Sequence, residues 1–252
     1  MEPLEYHRPK TLEEALPLLQ RARPLGGGTD LVPQRLTLAS VVDLQDLGLD
    51  ELEETQSGLR LGAMLRLQRL VEGGDEIPAA LREACRLEGG LNLRNMATIA
   101  GTIVAADGRS PLTTVLLALS AQVRLEPGGE TLPLDALLDR RGSGLAGRLI
   151  VALEVPPIDF AAYDQVARSP AGRPLVCVAV GHQRDDSDFR LALGGYGNRP
   201  IALRATRPDP AAAAEAAALA YAEAGDAWAG AEYRSAVAAV LVRWLMEEAV
   251  AR

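Results

Sequence analysis

Two short segments rich in glycine and other small residues are the parts of this sequence best suited to binding a ligand. The first, Gly26-Gly-Gly-Thr-Asp30, lies between a predicted strand, 22–25, and a short predicted helix, 31–36. Glycines let backbone N–H groups approach phosphate oxygens closely, and Thr29 adds a hydroxyl donor. Asp30 would repel a phosphate, so we expect its carboxylate to cap the helix. The segment predicts an anion site, although a tight turn that needs a positive φ explains the same glycines equally well.

The second segment, Arg94-Asn-Met-Ala-Thr-Ile-Ala-Gly-Thr102, combines small residues with two threonines and an arginine. Two such segments suit a ligand with two phosphates, because one segment can hold it from each side. The chain has a net charge of −8, so local amides and Arg94, and not the overall charge, would have to hold the anion. A surface salt bridge for Arg94 and a turn cap for Asn95 are the alternative interpretations.

A literal G-x-G-x-x-G motif also occurs, at Gly142, Gly144 and Gly147. A dinucleotide site needs this motif after a strand and before a helix, so that the helix N-terminus meets the pyrophosphate. Here a polar stretch, 139–141, precedes the motif and a predicted strand, 149–155, follows it. This context favours a flexible surface loop over a nucleotide site.

The inventory of side chains excludes several classes of site. Among 252 residues, only Cys85, Cys177, His7 and His182 are cysteine or histidine, too few for a four-thiolate iron–sulfur cluster or a Cys/His zinc site. The acidic balance argues against nucleic acid as a partner. No stretch approaches the ~20 apolar residues of a membrane-spanning helix, and the start does not resemble a signal peptide. We therefore predict a cytoplasmic protein with no metal site and no catalytic side chain of its own.

The periodicity of apolar residues predicts three regions. In the first, Thr11-Leu-Glu-Glu14 is a capping box that begins a helix. In the third, 175–180 and 189–193 predict adjacent antiparallel strands, followed by two helices. Three aromatic residues of this region are expected to pack inside it, namely Trp228, Tyr233 and Trp244. The predicted helices of the third region cover 208–225 and 231–251.

At these segments the sequence resembles the FAD-binding medium subunit of the molybdenum hydroxylase family, which includes carbon monoxide dehydrogenase and xanthine dehydrogenase. Ala22-Arg-Pro-Leu-Gly-Gly-Gly-Thr-Asp-Leu31 is similar to the family's first flavin segment, usually A-G-G-T-D-L. Leu93-Arg-Asn-Met-Ala-Thr-Ile-Ala-Gly101 is similar to its second, usually I-R-N-x-A-T-I-G-G-N. The start, 5–15, and the last helix from 231 also resemble the family, so the likeness covers nearly the whole chain.

The resemblance implies an α+β fold of the PCMH/vanillyl-alcohol-oxidase type. Its parts would be an FAD-binding subdomain at 1–54, a second at 55–158, and a C-terminal domain at 159–252 with a small antiparallel sheet and helices. It also implies an oxidoreductase subunit whose FAD takes electrons from iron–sulfur clusters on a small partner subunit and passes them to NAD or another acceptor. A large molybdopterin subunit would oxidise the substrate, and the assembly would be a dimer of heterotrimers.

Carried over position by position, the resemblance implies a set of FAD-binding residues on two sides of the cofactor. They are Gly26, Gly27, Gly28, Thr29, Asp30 and Leu31 on one side, Thr98, Ala100, Gly101, Thr102 and Ile103 on the other, and Asp107 in the stretch that follows.

Three positions depart from the family pattern. Ala100 replaces the first glycine of the second segment, Thr102 replaces its closing asparagine, and Pro111 replaces an aspartate. Alanine is restricted to fewer backbone conformations than glycine. Pro111 offers neither an N–H donor nor a carboxylate. Two other functions therefore stay open: a scaffold subunit of the same complex that has lost FAD, and a self-sufficient flavin reductase that uses a nicotinamide. Against the reductase, the sequence contains no credible motif for a second cofactor.

Overall fold

The described residues form three β-sheets together with several α-helices, so the predicted α+β class is confirmed. The computed structural model describes residues 4–141, 144–184 and 186–251. The α-helices of these residues are α1 Leu12–Leu18, α2 Leu67–Val71, α3 Ala79–Glu88, α4 Leu91–Met96, α5 Ile99–Ala105, α6 Pro111–Ala118, α7 Leu134–Arg140, α8 Pro210–Ala220 and α9 Ala231–Val250.

The fold divides into two compact units that alternate along the chain. The first contains the described residues of 1–69, 91–105 and 122–155, and the second those of 70–90, 106–121 and 156–252. The division into regions at 54 and 158 stays a prediction.

The first sheet, in the first unit, has three parallel strands in the order β1-β3-β2. Their bounds are β1 Glu5–His7, β2 Arg23–Leu25 and β3 Ser40–Asp43. Helix α1 begins after Thr11, whose hydroxyl accepts a hydrogen bond from the Glu14 N–H at 3.3 Å. The Glu14 carboxylate accepts from the N–H of Lys10 at 2.9 Å, so the predicted capping box forms with its return bond shifted by one residue.

The second sheet, also in the first unit, has five antiparallel strands in the order β4-β5-β8-β6-β7. Their bounds are β4 Leu52–Thr55, β5 Gly58–Gly62, β6 Gln122–Glu126, β7 Glu130–Pro133 and β8 Leu149–Val155. The run LIVALEV of β8 is apolar at nearly every position because this strand is paired on both edges and is buried along its length. The polar residues of 50–57 predict turns, but the structure forms strand β4 within this stretch.

The third sheet, in the second unit, has four antiparallel strands in the order β12-β11-β10-β9. Their bounds are β9 Ile158–Val166, β10 Val176–Gln183, β11 Phe189–Gly194 and β12 Ile201–Ala205. The predicted antiparallel pair is confirmed as β10 and β11. Alternate residues of these strands share a core with the two last helices, among them Val178, Leu191, Ala217 and Leu241.

The aromatic residues of the last region do not pack inside it, so that prediction was wrong. Trp228, Tyr233 and Trp244 expose 52%, 44% and 60% of their surface. The face of α9 that enters the core carries Leu241 and Leu245, whereas Trp244 lies outside that face. None of the described helices is long and apolar enough to cross a membrane.

Candidate functional site

The glycine segment 26–31 joins β2 to a 3-10 helix, Val32–Thr37, and then to the parallel strand β3. The N–H of Val32 donates to the carbonyl of Gly28 at 2.9 Å, which closes the turn before this helix. None of the six N–H groups from Gly26 to Leu31 donates a hydrogen bond to any described residue. Consecutive N–H groups that donate to no described residue can serve as the donors of an anion site.

Glycine is sterically required in this segment. A Cβ on Gly27 would lie 1.8 Å from the carbonyl oxygen of Met96, and a Cβ on Gly26 would lie 2.8 Å from Oγ1 of Thr98. Gly28 has a φ of +73°, which side-chain-bearing residues rarely adopt. The structure therefore brings the first segment directly against the second.

The second segment is not a loop of free amides, which corrects the sequence expectation. It consists of α4 and α5 joined at 97–98. The N–H groups of Ile99, Ala100, Gly101 and Thr102 already donate, at 2.9 to 3.2 Å, to Leu65 O, Ala63 O, Thr98 Oγ1 and Thr98 O. This segment can therefore offer side chains and surface shape to a ligand, while the N–H donors come from the first segment.

The predicted site residues of the second segment differ in exposure. Thr98 and Ile103 are buried, whereas Ala100 and Thr102 are partly exposed and Gly101 is exposed. Ala100 lies in the helical backbone of α5, a conformation that alanine favours, so its replacement of glycine strains nothing.

Asp30 does not cap the helix that follows it, contrary to the expectation. The 3-10 helix has no side-chain cap, and the Asp30 carboxylate accepts a hydrogen bond from the side-chain amide of Gln34 at 3.0 Å. Thr29 is exposed and Leu31 is partly exposed, so this end of the run of N–H groups is accessible to solvent.

Asp107 lies in the second unit, where its carboxylate accepts hydrogen bonds from the guanidinium of Arg173 and, at 2.8 Å, from the N–H of Arg109. Pro111 is the first residue of α6, a position that needs no N–H donor and suits proline. The hydroxyl of Ser110 caps this helix by accepting from the N–H of Thr113 at 3.1 Å. Pro111 therefore fits the fold without strain.

A partly buried carboxylate, that of Glu88, accepts hydrogen bonds from the start of α6. Glu88 accepts hydrogen bonds from Ser110 Oγ at 3.1 Å and from the N–H of Leu112 at 3.0 Å. Desolvation raises the pKa of Glu88 from 4.5 to about 7, and these two hydrogen bonds oppose the rise.

The guanidinium next to the glycine segment belongs to Arg66, which the sequence analysis missed. Its Nη1 donates to the carbonyl of Met96 and would lie 3.0 Å from a Cβ on Gly27. Arg94, the arginine that was predicted to hold the anion, donates through Nε to Oε1 of Gln68 at 2.8 Å. The sequence signal for Arg66 was its position as a charged residue between two leucines, Leu65 and Leu67, both of which are buried. Because Arg66 is far from Gly27 along the chain, this pattern gave no reason to place the two residues together.

The literal G-x-G-x-x-G motif lies between α7 and β8. Gly142 is outside the described residues, and Gly144 and Gly147 lie in turns. A strand follows the motif, as predicted, so no helix N-terminus meets it.

Comparison with known proteins agrees with this geometry. A family model described as "FAD binding domain in molybdopterin dehydrogenase" matches residues 2–158. The chain is 35% identical to the uncharacterised protein YgfM of Escherichia coli over 79% of this chain and 77% of that protein. It is 31% identical to the carbon monoxide dehydrogenase medium chain of Afipia carboxidovorans over 98% of this chain and 97% of that protein.

A solved structure supports the same relationship and the predicted fold type. The reconstituted CO dehydrogenase of Oligotropha carboxidovorans contains a chain that matches this one with a TM-score of 0.82 and 29% identity, over 100% of this chain and 99% of that chain. The chain therefore belongs to the family of FAD-binding domains of molybdopterin dehydrogenases, the medium subunits of molybdenum hydroxylases.

Proposed function

We propose that this chain carries FAD in a molybdenum hydroxylase complex and relays electrons from iron–sulfur clusters of a small subunit to NAD or another acceptor. The observation that supports this most directly is the run of unpaired N–H groups from Gly26 to Leu31, set against Met96 and Thr98. A diphosphate is the part of FAD that such donors recognise. FAD, when bound, supplies the redox chemistry, and the chain supplies binding and orientation.

The residues of the two segments would divide this task. The N–H groups of 26–31 and the hydroxyl of Thr29 would hold the diphosphate. The second segment would line the other side of the cofactor through Thr98, Ala100, Gly101, Thr102 and Ile103. Asp107 is proposed with them because it matches the family motif.

Partners complete the proposal. The matched relatives include medium chains of dehydrogenases, such as the glyceraldehyde dehydrogenase medium chain of Sulfolobus acidocaldarius, 30% identical over 78% of this chain. By analogy, an iron–sulfur small subunit and a molybdopterin large subunit would assemble with this chain as a dimer of heterotrimers in the cytoplasm. The substrate would be bound by the large subunit.

Purification of the complex through a tag on this chain tests the proposal. We expect flavin, iron and molybdenum to elute together, with one FAD for each copy of this chain. Partner chains that elute without flavin would contradict the proposed function and support the scaffold subunit instead. Rapid nicotinamide oxidation by the isolated chain would support the self-sufficient reductase.

A further inference from the structure

We infer that Arg66 is a direct contact for the diphosphate of FAD, acting together with the N–H groups of Gly26 to Leu31. This inference rests on the proposed function and adds to it a charged group that the family motifs do not contain. It is carried by the position of the Arg66 guanidinium against Gly27.

The backbone around Arg66 is fixed by hydrogen bonds to the second segment. Arg66 forms an isolated antiparallel bridge with Thr98, and the N–H of Leu67 donates to the carbonyl of Ala97 at 3.1 Å. Leu65 and Leu67 are buried, with 1% and 0% of their surface exposed. Because side chains alternate in extended backbone, the two leucines anchor the chain on one side and leave Arg66 on the other.

Most N–H groups of the Arg66 guanidinium donate to no described residue. One of its five N–H groups donates to the carbonyl of Met96, and no carboxylate among the described residues forms a salt bridge with it. The same Nη1 would lie 3.0 Å from a Cβ on Gly27, so it borders the second residue of the run of unpaired N–H groups. A planar guanidinium beside backbone donors matches the geometry of phosphate oxygens.

The bond to Met96 also preorganises the group. It holds the guanidinium on the one carbonyl that the glycine segment approaches most closely. A diphosphate bound to the N–H groups of 26–31 would therefore meet a positive charge already in place, with little side-chain entropy left to lose.

The test is a set of FAD titrations of the purified chain by calorimetry, with ADP as a second ligand that has the diphosphate but no flavin. Arg66→Gln should weaken binding of both ligands by about ten- to a hundredfold, and Arg66→Lys should fall between it and the wild type. Arg69→Gln is the matched control, because Arg69 is an exposed arginine three residues further along the chain. The FAD affinity of this variant should stay within about twofold of the wild-type affinity.

Unfolding curves of all variants establish that each one is folded. If the wild type binds FAD and both Arg66 variants bind FAD and ADP equally well, Arg66 does not contact the diphosphate and the inference fails alone. If the wild type binds no FAD, the proposed function fails and the inference fails with it.

Discussion

The carbonyl oxygen of Met96 lies against Gly27 so closely that no side chain fits between them. A Cβ on Gly27 would be 1.8 Å from that oxygen. The obstacle is backbone, so it cannot rotate away as a side chain could, and it lies at the end of α4, within the second segment. Together with the approach of Gly26 to Thr98, this contact holds the two segments against each other.

The variant Gly27→Ala should therefore lose both stability and cofactor affinity. We expect the free energy of unfolding to fall by about 1–3 kcal/mol, because the added methyl group displaces one segment from the other. We expect FAD affinity to fall at least about tenfold, since the N–H donors move with the backbone.

Gly90→Ala is the matched control for this variant. A Cβ on Gly90 meets no atom within 4 Å, so its effect on unfolding should stay within about 0.5 kcal/mol. Urea unfolding and FAD titration of both variants make the comparison. Equal behaviour of the two alanine variants would show that the contact with Met96 does not constrain the site.

Restoring the family glycine at Ala100 should not improve the protein. Ala100 lies in α5, where its N–H donates to the carbonyl of Ala63 at 3.2 Å. Glycine in a helix is less favourable than alanine by about 0.5–1 kcal/mol, so Ala100→Gly should lower the free energy of unfolding and leave FAD affinity unchanged. A large gain in affinity would instead indicate that this substitution had eroded the site.

Arg234 should be essential for the stability of the second unit. It is 0% exposed, it binds both carboxylate oxygens of Asp226 at 2.9 and 3.0 Å, and it donates to four backbone carbonyls. These are the carbonyls of Leu175, Gly195, Ala224 and Ala229.

Replacement by Met removes the guanidinium donors from these buried carbonyls, of which that of Ala229 still accepts from the N–H of Asp226 at 3.1 Å. We therefore expect Arg234→Met to destabilise the protein by about 3–5 kcal/mol in urea unfolding. Arg243→Met, on the exposed face of the same helix, serves as the control and should change stability by less than about 0.5 kcal/mol. A small effect at Arg234 would mean that water or neighbouring groups satisfy the carbonyls.

Glu88 should make stability depend on pH. Because its pKa rises from 4.5 unfolded to about 7 folded, the folded state binds the proton more tightly. Its contribution is complete below pH 4.5 and is lost as the pH rises through 7, a total of about 3 kcal/mol. Arg173, which lowers this pKa, and Asp107, which raises it, are the charged groups nearby.

The variant Glu88→Gln keeps an acceptor for Ser110 and Leu112 but cannot ionise. Compared with the wild type, it should therefore gain stability between pH 5 and pH 8 by up to about 3 kcal/mol. Urea unfolding of both proteins at the two pH values measures this. A difference between the proteins that does not change with pH would exclude ionisation of Glu88 as the cause.

Local patterns predicted much of the fold. The apolar run Leu149–Val155 is strand β8, and the glycine segment 26–31 lies between a short strand and a short helix, as predicted. These features depend on neighbouring residues only, such as the hydroxyl of Thr11 and the N–H of Glu14, so the sequence contains the information directly.

Long-range contacts decided the features that the sequence did not reveal. The amides of Ile99 and Ala100 are taken up by the carbonyls of Leu65 and Ala63, which lie far away along the chain. Arg66 lies beside the glycine segment because its backbone forms a β-bridge with Thr98. The exposure of Trp244 likewise depends on how α9 is rotated against the sheet, which the helical period alone does not fix.

Binding of FAD by the purified wild-type chain tests the central claim most directly, with riboflavin, which has the same ring system but no diphosphate, titrated beside it. If the N–H groups of 26–31 hold the diphosphate, one FAD should bind per chain and riboflavin should bind at least about a hundredfold more weakly. No binding of FAD, or equal affinity for both flavins, would contradict the account.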